Sequence, residues 1–499
     1  MLERLDELGG AAVSSYAFEG MDAKLSRYSY LVSLLPKRII DDLGLRIELK
    51  RRRYSSYTPV PGGTGGLLID NDDAEATRAS FRSIGAEHDA RAFDELSADL
   101  ARLARSLWPT LTEPLPTRAE AKRMLADDRL WAQFIEHPVG ETIEARFESD
   151  LVRGVVATDA LIGTFASVQD ESLRQNICFL YHVIGGGTGD WDVPVGGMGA
   201  VTGELQRAAR EAGVEFRTGA DVISVTPDGR VGYRTSGDND PIEISGSRVL
   251  ANVAPAVLDR LLAEPSAEVE GDIAPAGASP ATAPEGAQVK VNLLLSRLPR
   301  LLDPLVAPAA AFGGTFHINE LLSQLETAVT QAAQGRVPNP LPAEIYCHSL
   351  TDPSILSPEL REQGAHTLTV FGLHTPHRLG ATTEELQAAV LASLDSVLAE
   401  PIEPLLLRDA RGRPCIETKT TADLERTLGL PGGNIFHGDL SWPFLEDDAS
   451  RGTAAERWGV STSHPRILLC GSGSRRGGAV SGLGGHSAAM AVLEDDLDS

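Results

Sequence analysis

One stretch, "PRILLCGSGSRRGGAVSGLGGHSAAMAVLEDD" at Pro465 to Asp496, limits what this chain can fold into. An apolar run, Ile467 to Cys470, meets a series of glycines, and a helix rich in small residues starts at about Gly482. A strand that opens through glycines onto a helix presents free backbone amides and the positive end of a helix dipole. Small residues at Gly482, Gly484, Gly485 and Ser487 let a flat ring or a phosphate approach the backbone. This is the grammar of an α/β fold. The same residues also suit close packing of a helix on a sheet.

The start of the chain carries a second element. "MLERLDELGGAAV" has an acid at Glu3 and a glycine pair at Gly9 and Gly10. In a dinucleotide fold, an acid at the end of the second strand bonds an adenosine ribose, and it follows a glycine-rich turn and a helix. Gly9 and Gly10 can turn the chain beneath a diphosphate. A third element is "TGADVISV", a strand that meets an adenine through its backbone near Val222.

Between these elements the pattern changes several times. "SRYSYLVSLLPKRIIDDLGLRIELKRR" reads as a short helix and then a strand, with the period changing at Gly44. Residues 55–73, "SSYTPVPGGTGGLLIDNDD", read as a hairpin with Gly62, Gly63, Gly65 and Gly66 at its tip. The Lys-Ser/Thr of a phosphate loop does not follow those glycines. From Asp73 to about Phe165 apolar residues recur at helical spacing. Gly199 to Glu211 is an amphipathic helix closed by Gly213. "VEFRTGADVISV" reads as two short strands, "TPDGRVGY" as a turn centred on Asp-Gly, and "SRVLANVAP" as a strand ending at Asn252. The stretch "AEPSAEVEGDIAPAGASPATAPEGA" has the composition of a mobile insertion. "QVKVNLLLSRLP", "EIYCHSL" and "HTLTVFGLH" alternate as sheet strands, and "TEELQAAVLASLDSVLAE" is a helix.

Composition excludes other classes. The formal charge is −25 and aromatics are 5% of residues, so neither a phosphate-tracking basic surface nor a base-stacking platform is present. The basic run Lys50 to Arg53 reads as a solvated strand end. Cys178, Cys347, Cys415 and Cys470 are widely spaced and form no CxxC, which points to buried thiols in a reducing compartment. No apolar run is long enough to cross a membrane and no signal peptide is visible, so the expected location is cytoplasmic. Histidines crowd the second half, but "LHTPH" lacks helical i, i+4 spacing, so no metal site is expected. His437, in "NIFHGD", is the one candidate catalytic residue. Ser472 and Ser481 lie outside a GxSxG context, so a hydrolase triad is unsupported.

Taken in order, the ribose acid, glycine pair, helical insertion, "GGMGAVTGEL", "TGADV" and "CGSG…GG…SG…GHSAA" resemble the phytoene desaturase-like branch of the two-dinucleotide-binding-domain flavoproteins, which is related to the amine oxidases. "RYSYLVSLLPKRIIDDLGL" and "GGNIFHGDL" also carry the resemblance, which covers essentially the whole chain. It implies an α/β fold with a Rossmann-like FAD-binding domain, incomplete at its N-terminus, and a mixed α+β substrate domain. The expected segments are 1–70, 186–258 and 431–499 for the flavin domain. Residues 71–185 form a helical insertion, and residues 259–430 hold the sheet and helices of the substrate domain. The implied cofactor is FAD. Glu3 would hold the ribose, Gly9 and Gly10 the pyrophosphate, and Val222 the adenine. Gly471, Ser472 and Gly473 would pass the ribityl chain, and Val480, Ser481 and Gly482 the pyrimidine edge. Where the family has a basic residue after the glycine pair and an acid near the ribityl chain, this chain has Ala11, Ala12 and Ser472, which removes polar contacts.

No GxGxxG lies before Glu3, so the expectation is a chain whose first strand–turn–helix unit is encoded upstream, with Met1 a misread valine codon. The expected reaction is desaturation, dehydrogenation or isomerisation of a small apolar organic substrate by hydride transfer to flavin. The residues name no electron acceptor. The alternatives are a binding protein that has lost the flavin and an amine-oxidase-like enzyme with an aromatic cage.

Overall fold

In "QVKVNLLL" every residue of the strand Gln288–Leu295 is buried. Such a strand needs a partner on each edge and a layer on each face. The computed structural model, which describes residues 1–237, 240–263 and 285–498, supplies both. Gln288–Leu295 lies inside a seven-stranded mixed sheet. The order is Ile416–Lys419, Gln288–Leu295, His366–Leu373, Ala343–Tyr346, Thr315–Ile318, Tyr54–Pro59 and Gly66–Asp70. All neighbours are antiparallel except Thr315–Ile318 beside Tyr54–Pro59.

Period-two alternation sorts this sheet into two faces. Val289, Val291, Leu293 and Leu295 pack with Leu386, Val390 and Leu394 of the helix Thr383–Asp395. On the neighbouring strands Phe316, Ile318, Ala343 and Ile345 join the same core. The intervening residues, Gln288, Lys290, His317, Glu344 and Tyr346, point away from it, into a cavity. That second face carries the chemistry.

The hairpin at 54–70 is as expected, and it belongs to this sheet. It joins through the parallel pairing of Ser56 and Tyr57 with Thr315 and Phe316, which local sequence does not encode. "VEFRTGADVISV" gives one strand, Ala220–Val225, and not two. Gly219 takes φ +62° just before it, and Arg217 is left with a single parallel bridge to Leu2. Ala220–Val225 leads a three-stranded antiparallel sheet. Val249–Ala251 runs parallel to Ile467–Leu469, and Leu483–Asp498 follows as the C-terminal helix. Of the insertion expected at 263–287, residues 264–284 lie outside the described residues.

Residues 71–185 are helical, and their core is the largest in the molecule, with Trp131 fully buried. One polar knot sits within it. The Asp99 carboxylate, 6% exposed, accepts bonds from Arg129 (3.1 Å), Arg146 (2.6 Å) and Arg102. Burial alone would raise its pKa; the three guanidinium groups outweigh that and hold it at about 2.

His374, fully buried after the strand His366–Leu373, takes φ +56° and meets Phe165 edge-on at 6.0 Å. Neither ring nitrogen has a hydrogen-bond partner. Burial pushes its pKa down from 6.5 to about 4. The unfolded chain takes up that proton near pH 6.5 and the folded chain only near 4, so acidification through this window favours unfolding. Asn tolerates the left-handed backbone. A His374→Asn chain is expected to be the less stable at pH 7. The gap to the wild type should narrow by up to about 1.4 kcal/mol per pH unit as pH falls towards 4. Urea midpoints at several pH values check this; a constant gap would refute it.

Candidate active site

A single cavity of about 1200 Å³ runs between the sheet, the C-terminal helix and the N-terminal segment. Chain ends nearly 500 residues apart meet on its wall. Glu3, Gly9, Gly10, Val222, Gly471, Ser472, Val480, Ser481, Gly482 and His437 all line it. Of the residues singled out in the sequence for a ligand, Gly473 and Ser487 do not. A Cβ on Gly473 would stand 2.5 Å from Pro255 Cδ, so this glycine seats the start of the helix Pro255–Leu262.

Each lining residue is placed by identifiable local structure. Glu3 donates its amide to Arg217 O (2.9 Å), and one carboxylate oxygen accepts from the Leu5 amide (2.8 Å). Gly9 and Gly10 take φ +123° and +55°, and the Ala12 amide closes the turn on Gly9 O (2.9 Å). A Cβ on Gly10 would meet nothing within 4 Å, so this turn faces open space. Gly471 is tighter: a Cβ there would come within 1.8 Å of Asn252 Oδ1. Ser481 is buried and accepts the Leu483 amide (3.2 Å), which caps the helix. It therefore lines the cavity with backbone.

Two helices near this region begin on serine hydroxyls, and neither has an acid in its first turn. In Met198–Glu211 the first amides are taken by Ser26 (3.1 Å) and Ser14 (2.8 Å). Leu483–Asp498 has no acid in its first turn, and Gly484 and Gly485 lie there on the cavity wall. Ser481 takes its first amide, and no acid offsets the positive dipole at this end.

The far end of the cavity was not singled out in the sequence. Here Tyr30, Tyr346 and Phe371 cluster, with ring centroids 4.2 to 6.2 Å apart. Lys290 Nζ lies 5.0 Å from the Phe371 ring centroid and donates to Ser26 O (2.9 Å). Burial pulls its pKa well below the ordinary lysine value. The Glu344 carboxylate accepts from Thr158 and Tyr346, each at 2.8 Å. Asp159 is raised to about 7 by burial and by the Glu344 charge. The signal for this end was present as polar residues at every second place in "QVKVN" and "AEIY". The same pattern usually marks a strand face in water.

His437 sits at φ +65° in the loop beside Phe436, and its Nδ1 has no partner. Burial lowers its pKa to about 4, so the imidazole is neutral at physiological pH. The four cysteines are all free, and Cys178, Cys347 and Cys415 are buried. Spacing along the chain gave no metal-ligand set. In space, His317, Glu320 and Glu344 bring one donor atom each within 4.8 Å of one another. Among the described residues no helix is long and apolar enough to cross a membrane.

This α/β architecture is the flavoprotein fold expected from the sequence. It aligns over the full chain with a putrescine oxidase variant (TM-score 0.53, 14% identity, 92% of that chain). It aligns equally well with a protein from Pyrococcus furiosus (TM-score 0.53, 14% identity, 91% of that chain). Cyclohexylamine oxidase from Brevibacterium oxydans aligns with TM-score 0.52 at 14% identity, over 100% of this chain and 93% of its own. No protein-family model matches the chain. By sequence it is 56% identical to an uncharacterized protein of Mycobacterium tuberculosis, over 99% of this chain and 92% of that protein, and it belongs to that protein's family. It is also homologous to the mouse pyridine nucleotide-disulfide oxidoreductase domain-containing protein 2, at 29% identity over 99% of this chain and 89% of that protein.

Proposed function

We propose that the chain is an FAD-dependent oxidoreductase acting on a largely apolar organic substrate by dehydrogenation, desaturation or isomerisation, as in phytoene desaturase-like enzymes. The observation that carries this reading is the convergence of Glu3, Gly10, Val222 and the Gly471–Gly485 stretch on one cavity. The cavity is larger than a single small ligand needs. Two further observations support the fit: the open space at Gly10 and the acid-free first turn of the C-terminal helix. In this reading Glu3 holds the ribose, Gly9 and Gly10 pass the diphosphate, and Val222 meets the adenine. Gly471 and Ser472 pass the ribityl chain. The Val480 to Gly482 backbone and the helix end stabilise negative charge on the ring. Bound FAD supplies hydride acceptance. The protein positions the substrate and excludes water. His437, a neutral imidazole on the cavity wall, is the residue placed to meet a ligand at the ring.

The aromatic cluster of Tyr30, Tyr346 and Phe371 with the Asp159 and Glu344 carboxyls favours a second reading, oxidation of an amine. An ammonium group would be held by the carboxylates and the ring faces.

The test is the visible spectrum of the purified chain with and without added FAD. A bound-flavin band near ~450 nm, bleached by candidate substrates, is the expected result. A colourless chain calls for the same measurement on a chain extended upstream, and a second blank there would sink the enzyme reading and leave a binding protein.

A further inference from the structure

We propose that His317, Glu320 and Glu344 form a site for one divalent first-row transition-metal ion at the sheet end of the cavity. The inference is independent of the flavin reading. His317 and Glu344 are direct register partners on adjacent antiparallel strands. Two residues beyond His317 the chain passes through Asn319 at φ +56°, and Glu320 follows. All three side chains are buried.

The spacing of the donors suits an ion. One atom from each lies within 4.8 Å of the others, yet none of the three side chains bonds another. Two ligands each about 2.1 Å from a shared ion lie roughly 3 to 4 Å apart. Two of the donors are already oriented. His317 Nδ1 is bonded to Thr58 Oγ (2.9 Å), which fixes the ring and leaves Nε2 for the ion. Glu344 is held by Thr158 and Tyr346.

Glu320 is the independent indication. It is 1% exposed, and neither carboxyl oxygen has a hydrogen-bond partner. Thr158 is its neighbour, but the single hydroxyl proton of Thr158 goes to Glu344. A buried carboxyl with no donor is costly, and a cation between Glu320 and Glu344 removes that cost.

One imidazole and two carboxylates, with no thiolate, suit Zn²⁺, Fe²⁺ or Mn²⁺. Arg52 opposes the charge of the ion and Asp159 favours it. His317 and Glu344 line the cavity and Glu320 does not, so a fourth position opens towards the cavity. Three protein ligands with one open place is the pattern of a metal that meets substrate.

The test uses the full chain, stripped with a chelator and titrated with Zn²⁺ alone, with metal content measured after desalting. One tightly held Zn²⁺ per chain is expected, together with a raised thermal midpoint. Glu320→Gln, which keeps the shape of the side chain, should weaken uptake at least 10-fold, and so should His317→Asn. Near-UV circular dichroism shows which variants fold. No saturable 1:1 uptake by the folded wild type would overturn the proposal. So would uptake that is the same in both folded variants. The readout is metal, so a chain that binds no flavin leaves this test intact.

Discussion

A Gly485→Leu chain is expected to fold like the wild type and to bind FAD roughly 100-fold more weakly, a loss of about 2.7 kcal/mol. A Cβ at Gly485 meets only Cys470 O, at 3.8 Å, and otherwise enters the cavity. Leucine is also the better helix former by about 0.8 kcal/mol, so the thermal midpoint should not fall. The neighbouring glycine gives the contrast. At Gly484 a Cβ would stand 2.4 Å from Gly471 O, which is backbone and cannot step aside. Gly484→Ala should therefore destabilise the chain before it affects a ligand. FAD titration beside thermal melting separates the two glycines. Wild-type FAD affinity in Gly485→Leu would mean that this glycine stretch serves packing alone.

The second large effect concerns stability. Asp99→Ala is expected to cost about 3 kcal/mol, the low end for breaking a buried ion pair. The low end applies because Arg102 and Arg129 are about half exposed and can turn to water. The Arg146 side chain is 14% exposed and cannot. Urea unfolding followed by far-UV circular dichroism measures the loss. The carboxyl titrates at about 2 in the folded chain and at 3.8 in the reference state. Its contribution is therefore complete above pH 3.8 and is lost as pH falls towards 2. A loss under 1 kcal/mol would mean that the three arginines are satisfied elsewhere.

How far the site can be read in the sequence depends on which physical signal carries each part. Gly9, Gly10, Gly471, Gly482 and Gly484 announce themselves because positive φ or close approach excludes other residues. Their convergence is legible once their order along the chain is noticed. The alternation that buries Val289 and Val291 is legible too. It says that Lys290 faces the other way, but not that it faces a cavity. His317 and Glu344 become neighbours only through strand register, and Glu320 joins them through one left-handed residue, Asn319. Neither leaves a motif. The hairpin's place in the large sheet is hidden for the same reason, because its partner strand is named by long-range pairing and not by local pattern.

That pairing also shapes how the protein is made. Thr58 on the hairpin meets His317 across 259 residues of chain. At ordinary translation speeds the ribosome needs roughly 10 to 50 s to cover that distance. Throughout that interval Tyr57, buried in the finished sheet core, lacks the strands it packs with. The nascent chain therefore carries an unfinished apolar edge out of the exit tunnel.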